Sequence, residues 1–361
     1  RWLGTSMGVT RDLSAERALP AGSVVTSIND VPTGDILRCL LPLVRADGGN
    51  DEKRRSLLEL RGRERFETMD LHLPFALPAV GQEASFLLDG TGIVRATLMT
   101  AEERTAARSS PTKRDGAPWA FQIDSDGLAV LTMSSWAMYK EDFSWEKWLA
   151  ERLDALSSEK ARALVIDIRG NEGGLQCGAP ILARIVQAEI PTSDDQRRVR
   201  YRRVPDHLRP YLNTWDPTFY DWADALSGPD AEGFYKAKPG QFASEPIRPS
   251  GLPFRRPVVV LCDAANSSAT FDFARLARQV GAKLVGSPTG GNQRGINASA
   301  FFFVRLPASG LEVDLPLVAT FSGGDQPNAG VQPDVVVPLT RTDLTSPHDR
   351  VLEVARRTAL A

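Results

Sequence analysis

Two short apolar runs constrain this chain more than any other feature. Residues 163–168 (ALVIDI) and 257–262 (PVVVLC) stay apolar on almost every position over a strand's length. A strand without alternation has to be covered on both faces, as in a parallel sheet with helices on either side. Each run ends in a turn of small residues, then passes into helical spacing, over residues 178–188 and 269–280. Residues 128–133 (LAVLTM) open the same pattern earlier. The helix after them places Trp145, Trp148, Leu149, Leu153 and Leu156 on one face, a core stripe. Ser144 suits its N-cap, and Phe143 and Trp148 are spaced as a hydrophobic staple. Further strands fit residues 283–286, 300–306, 311–318 and 334–338. Alternating strands and helices predict an α/β layered core.

The flanking sequence is organised differently. Residues 23–29 (SVVTSIN) alternate as a short strand, and residues 33–43 carry helical spacing that Pro42 closes. Residues 46–53 read as a loop, and residues 65–99 as a strand-rich stretch that includes Phe75 and Leu77. Residues 100–118 are polar and small, the best linker candidate. The expected organisation is a small module over 1–65, a connector and linker over 66–117, and the α/β core over 118–361. Within the core, residues 190–250 form a long aromatic insertion, of the kind that serves as a lid or substrate wall. Its arginine run, 197–203, reads as an exposed strand with solvated side chains.

Charge narrows the function classes. Forty-three Lys+Arg against forty-five Asp+Glu give a net charge of −2, which removes the usual case for a nucleic-acid binder. No apolar run approaches the roughly 18 residues of a membrane span. The cysteines Cys39, Cys177 and Cys262 cannot all pair, and Cys177 and Cys262 sit beside strand ends, as buried free thiols do. The chain begins at Arg1 with neither Met nor apolar leader, as a processed or truncated product would. The three histidines are isolated and no Cys/His pair has ligand spacing, so neither metal nor cofactor is expected.

Two turns carry candidate chemistry. Residues 167–174 (DIRGNEGG) leave a buried strand and lead into a helix. Glycines there allow a tight turn and leave N–H groups free for an anion or a developing oxyanion. Residues 263–270 (DAANSSAT) do the same after the second strand, at the carboxyl edge where open α/β sheets bind ligands. A serine in this turn is either a helix cap or a nucleophile in the positive field of the helix N-terminus. Together the turns make a workable acyl-transfer site.

The order of motifs resembles the C-terminal processing peptidase family, the tail-specific proteases, with their tricorn-protease relatives. ALVIDIRGNEGG is similar to that family's strand and Asp-x-Arg-x-Asn-x-Gly-Gly turn, and NSSAT to its serine turn. Residues 285–291 (VGSPTGG) resemble its Val-Gly-x-x-Thr-x-Gly segment, and 330–334 (GVQPD) its Gly-Val-x-Pro-Asp segment. The resemblance implies a crotonase-like or Clp-protease-like core with a PDZ-like module that holds substrate tails. By the same resemblance, Ser268 is the nucleophile, with Ser267 the neighbouring alternative. Ala269 and a glycine of the Gly173-Gly174 pair supply the oxyanion N–H groups, and the substrate is a peptide or protein. An envelope or exported location is what the family suggests.

The match departs from the family at the general base. Asn292 and Gln293 stand where many tail-specific proteases carry a lysine, and the nearest lysine in sequence, Lys283, lies inside a strand. Tricorn-like relatives use a histidine ahead of the PDZ-like module, and His72, His207 and His348 all fall elsewhere. Tricorn relatives also carry an acid just before the Gly-Val-x-Pro-Asp segment, and by that resemblance Asp325 would orient the base. Phe271 replaces the family's glutamate, with Asp272 beside it. The expected function is a serine peptidase whose base lies upstream or is unidentified. The alternative is a non-catalytic binder of peptide or lipid, as in interphotoreceptor retinoid-binding protein. A third and weaker reading is acyl transfer on a thioester, for which no coenzyme A features stand out.

Overall fold

A computed structural model describes residues 1–61, 67–78, 80–107, 118–139, 143–158, 161–191, 196–238 and 245–361. The chain starts with β1 (Trp2–Leu3), β2 (Ser6–Gly8), β3 (Val24–Ile28) and β4 (Val31–Pro32). Helix α1 (Thr33–Leu40) follows, and Pro42 converts its continuation into a single 3₁₀ turn, as its missing N–H requires. Helices α2 (Asp51–Leu57) and α3 (Thr68–Ala76) lead to β5 (Glu83–Leu88) and β6 (Gly92–Thr97). These six strands form one antiparallel sheet in the order β1-β2-β3-β5-β6, with β4 on β3. Ile36, Leu37, Leu40, Leu58, Met69 and Phe86 fill its core.

Three expectations change here. Residues 51–53, read as loop, begin α2, because Asn50 caps it by accepting from Lys53 N at 3.1 Å. Phe75 and Leu77 are not strand residues. They sit in and just after α3, where Glu67 and Asp70 form a reciprocal capping box. The linker candidate contains α4 (Ala101–Ala107), and residues 108–117 lie outside the described residues.

Next come β7 (Trp119–Ile123), β8 (Leu128–Met133), α5 (Trp145–Ser158), β9 (Ala163–Asp167) and α6 (Ala179–Ile185). Trp148 N donates to Ser144 O at 3.0 Å, and the Phe143 and Trp148 rings lie 5.9 Å apart, as the staple predicts. Then follow β10 (Gln196–Val199), β11 (Leu212–Asn213), β12 (Leu226–Ser227) and β13 (Tyr235–Ala237). The chain closes with β14 (Val258–Cys262), α7 (Ala269–Gln279), β15 (Lys283–Gly286), β16 (Gly295–Arg305), β17 (Glu312–Phe321), β18 (Val335–Val336) and α8 (Arg350–Leu360).

The second sheet runs β18-β15-β14-β9-β8-β7, parallel apart from the β7 edge. Alternate residues of β9 and β14 face opposite layers. Leu164, Ile166 and Val260 pack with α5, α6 and α7, while Val165, Val259 and Leu261 pack with α8. Both faces are covered, which is why these strands carry no polar alternation. The protein is therefore a mixed α/β fold with several sheets.

The third sheet, β11-β16-β17-β10-β13-β12, is antiparallel. It draws residues 300–306 and 311–318 out of the layered core and pairs them with strands of the aromatic insertion. Phe219, Trp222, Phe302 and Val318 make a separate core there. In the arginine run Arg200, Arg202 and Arg203 are exposed as expected, and Arg198 is drawn in. Arg198 pairs with Glu232 at 3.2 Å and lies 4.8 Å from the Phe321 ring, and Arg202 pairs with Asp224 at 3.2 Å.

Candidate active site

The two turns meet at the carboxyl edge of the parallel sheet. In the second, Ser268 is the residue before α7, with φ 52° and ψ −128°. A left-handed φ on a non-glycine residue is uncommon, and this combination costs about 1–3 kcal/mol. Ser268 stands at the N-cap, yet its side chain makes no capping hydrogen bond. Its hydroxyl has no hydrogen-bond partner among the described residues. Ser267 differs: its Oγ donates to Ala265 O at 3.0 Å. Thr270, buried, donates to Asn171 O and Ser267 O, each at 2.9 Å. Ala269 opens the helix, so its N–H has no intrahelical acceptor.

The first turn is shaped by side chains that the sequence pattern placed near chemistry. Arg169 clasps Asp167 through Nε at 2.9 Å and Nη2 at 2.6 Å, and reaches Asp349 at 2.7 Å. Asn171 is fully buried, donating to Met133 O at 2.8 Å. Its Oδ1 accepts from Gly173 N at 3.0 Å, which commits that N–H. The Gly174 N–H has no acceptor among the described residues. Only glycine fits there: φ is 138°, and a Cβ would lie 2.2 Å from Trp136 O. Gly173 meets Ser268 directly, since a Cβ on it would lie 3.0 Å from Ser268 Cβ.

Asn266, fully buried, joins the turns. Its Nδ2 donates to Ile168 O at 2.5 Å and Asn171 O at 3.0 Å, and its Oδ1 accepts from Asp263 N at 2.8 Å. The later motifs complete this frame. Gly290 N and Gly291 N donate to Asn266 O at 2.7 and 3.1 Å. Thr289 Oγ1 accepts from Val331 N at 2.8 Å, and Asp334 accepts from Leu284 N at 2.8 Å. These motif residues build the backbone around Ser268.

Helix α2 reaches the same place from the first sheet. Asn50, almost fully buried, donates to Thr289 O at 2.9 Å and Gly291 O at 2.6 Å. Buried Lys53 lies 3.2 Å from Glu172 Oε1 and 3.3 Å from Ala265 O. Sequence reading missed both, because neither sits in a motif and their span was read as loop. The only signal was an Asx-type cap three residues ahead of a lysine. On the loop before α2, burial pushes the Asp47 carboxyl up, against a hydrogen bond from the Asn297 backbone and the charge of Lys53.

The other base candidates are bonded elsewhere or exposed. His72 is on α3, bonded to Thr68 O at 2.8 Å. His207 is exposed, and His348 faces Glu353 at 2.8 Å. Lys283 is exposed at the amino end of β15, while Ser268 follows the carboxyl end of its neighbour β14. Asn292 donates to Asp47 O at 3.0 Å, and Gln293 to Gly330 O at 3.1 Å. Asp325 is exposed on the loop between β17 and β18 and makes no hydrogen bond or ion pair among the described residues. Phe271 is buried against Gly291. Among the described residues there is no cluster of three or more His, Cys, Asp or Glu able to hold a metal, and no helix is long and apolar enough to cross a membrane.

The sequence model of Peptidase family S41 matches residues 127–337. The chain belongs to that family, and hydrolysis of peptide bonds is the general activity this membership carries. No curated protein matches the chain by sequence. A solved structure of mature CPAF matches with a TM-score of 0.58 at 16% identity, covering 99% of this chain and 80% of that one. Mature CPAF complexed with lactacystin matches at 0.53 and 16%, covering 94% of this chain and 77% of that one. A putative peptidase from Parabacteroides merdae is 18% identical over 91% of this chain and 95% of its own, at a TM-score of 0.43. The likeness to CPAF shows a shared fold.

Proposed function

We propose that the protein is a serine peptidase that works through an acyl-enzyme on Ser268. The observation that carries this reading is the Ser268 backbone, held in a strained left-handed conformation while its hydroxyl caps nothing. Strain of this kind persists only where the surroundings impose it, and it clusters at active sites. Ser267, bonded to Ala265 O, is the weaker candidate.

In this mechanism Ser268 Oγ attacks the peptide carbonyl and its proton passes to a base. The oxygen of the tetrahedral intermediate is met by Ala269 N–H and Gly174 N–H. Gly173 contributes by close packing, since its own N–H already serves Asn171. One such donor is worth about 3 kcal/mol to the transition state. The amine leaves with a proton, and water then hydrolyses the ester. Asp325, exposed and unpartnered among the described residues, is the acid available to orient a base delivered to the site. The layered sheet is read as crotonase-like. The first sheet is read as a PDZ-like module that holds substrate tails. A cavity of about 420 Å³ in that sheet, lined by Val9, Val25, Leu73 and Phe86 among others, supports this role.

The test is labelling with a fluorophosphonate probe, read by intact mass spectrometry. One adduct per chain is expected, and none on Ser268→Ala. A folded protein that takes no adduct overturns the assignment and turns the reading to a non-catalytic binder.

A further inference from the structure

We propose that Lys53 is a positioning residue for the acyl-transfer site, a cation that α2 inserts to hold the serine turn against the glycine turn. The inference rests on the reading of Ser268 as nucleophile.

Lysine is seldom buried unless its charge is met. Asp51 and Glu52, its neighbours on α2, are exposed, whereas Lys53 retains 8% of its accessible surface. Its ammonium has two partners, one on each turn. Glu172 immediately precedes Gly173, and the Ala265 carbonyl lies three residues before Ser268. Ser267 Oγ donates to that same carbonyl, so the ammonium and the hydroxyl converge on one oxygen.

The lysine stem is equally constrained. A Cβ built on Gly290 would lie 3.1 Å from Lys53 Cδ, 2.9 Å from Ser267 Oγ and 2.3 Å from Ala264 O. The base of α2 is fixed by Asn50, which caps the helix at Lys53 N and donates to the carbonyls flanking Gly290. Helix position, stem and ammonium are thus all determined by contact with the residues that frame Ser268.

Stability is a poor explanation for this arrangement. The Glu172 side chain is 57% exposed, and an ion pair so open to water contributes little. Desolvating the ammonium costs free energy, and a hydrophobic side chain of similar volume often serves folding better. What the ammonium does provide is registry. It ties the peptide that carries Gly173 and Gly174 to the peptide that carries Ser268 and Ala269. Acyl transfer depends on that spacing, and a misplacement of about 1 Å can cost roughly 100-fold in rate. The lysine's protons point to Glu172 and Ala265, so it acts through these turns.

The experiment uses the full chain and the kinetics of fluorophosphonate labelling. Lys53→Met keeps the stem and removes the charge. Glu172→Gln keeps the shape and removes the partner. Lys53→Met is expected to lower the maximal labelling rate constant by about 10- to 100-fold, with the half-saturating probe concentration changed less than about twofold. Glu172→Gln should lower the same constant, and the double variant should lose no more than Lys53→Met alone. A merely structural lysine would change the melting temperature and leave the rate constant intact, which overturns the proposal. If Lys53→Met does not fold, Glu172→Gln decides, and a wild-type rate constant in that variant overturns it. A wild-type chain that takes no probe overturns the Ser268 reading, and this inference falls with it. A labelled wild type with indifferent variants overturns this inference alone.

Discussion

Gly173 and Ser268 are packed so closely that the glycine has no room for a side chain. A Cβ on Gly173 would lie 3.0 Å from Ser268 Cβ, 2.7 Å from Ser267 O and 3.1 Å from Ala269 N. Two backbones thereby bring a hydroxyl and a free helix N–H beside the glycine turn. Gly173→Ala must adopt φ 101° and push the serine turn away. It is expected to destabilise the protein by about 1–3 kcal/mol and to abolish probe labelling. Urea unfolding, together with mass-spectrometric adduct counting, checks both outcomes.

The left-handed conformation of Ser268 makes a second prediction. Ser268→Gly removes the proposed nucleophile and also relieves the φ of 52°. Ser268→Ala removes the same hydroxyl and keeps the strain. The glycine variant should therefore unfold at higher urea than the alanine variant, by about 1 kcal/mol or more in free energy. Neither should take a probe. Ser267→Ala should still be labelled, and at Ser268, as peptide mapping would show.

Asn266 links the two turns through two buried hydrogen bonds and braces its own turn through a third, from Asp263 N. Asn266→Ala leaves the Ile168 and Asn171 carbonyls and the Asp263 N–H without that partner, at about 1–3 kcal/mol for each group left unsatisfied. Asn266→Asp is isosteric, but it turns an acceptor toward two carbonyls. Both variants should lose several kcal/mol in chemical denaturation. A loss below about 1 kcal/mol in each would show that the turns are held together otherwise.

The buried thiols predict an alkaline limit. Desolvation pushes Cys177 and Cys262 up from 9.0 to about 12. Their folded values lie above their unfolded ones, so the folded state keeps protons that the unfolded chain releases. The stability they contribute is full below about pH 9 and is lost as pH rises from there through about 12. Urea midpoints measured at intervals across this range should fall. They should fall less steeply in the double variant Cys177→Ala/Cys262→Ala. At neutral pH, iodoacetamide should modify the native chain at exposed Cys39 alone.

Much of the parallel sheet was legible in the sequence. Strands β8, β9, β14 and β15 and the helices α5 and α7 lie where apolar runs, Ser144 and the small-residue turns predict them. Burial on both faces leaves so direct a trace in composition that little else could satisfy it. The two turns were legible for a related reason. A tight approach of backbones admits only glycine or a very small residue, and that requirement is written in residue type.

Other parts depended on partners distant in sequence. Residues 300–306 and 311–318 read as strands, but nothing local says that they leave the layered sheet for the insertion's own sheet. Pairing between β10 and β17 joins residues more than a hundred positions apart. Phe75 and Leu77 suggested a strand because the capping box of α3 sits ahead of an internal proline, Pro74, which disguises the helix.

The sequence by itself determined which segments are buried strands, where the chain turns, and which serines could act. Chemistry alone does not separate Ser267 from Ser268, because hydroxyls on adjacent residues are equivalent until their surroundings differ. The tertiary structure makes them differ, by holding Ser268 in a left-handed backbone and binding Ser267 to Ala265 O. It also decided the place of Lys53, which belongs to no motif and meets the carbonyl of Ala265 from 212 positions away. A buried cation is selected by the charges and carbonyls around it, and those come together only when the chain has folded.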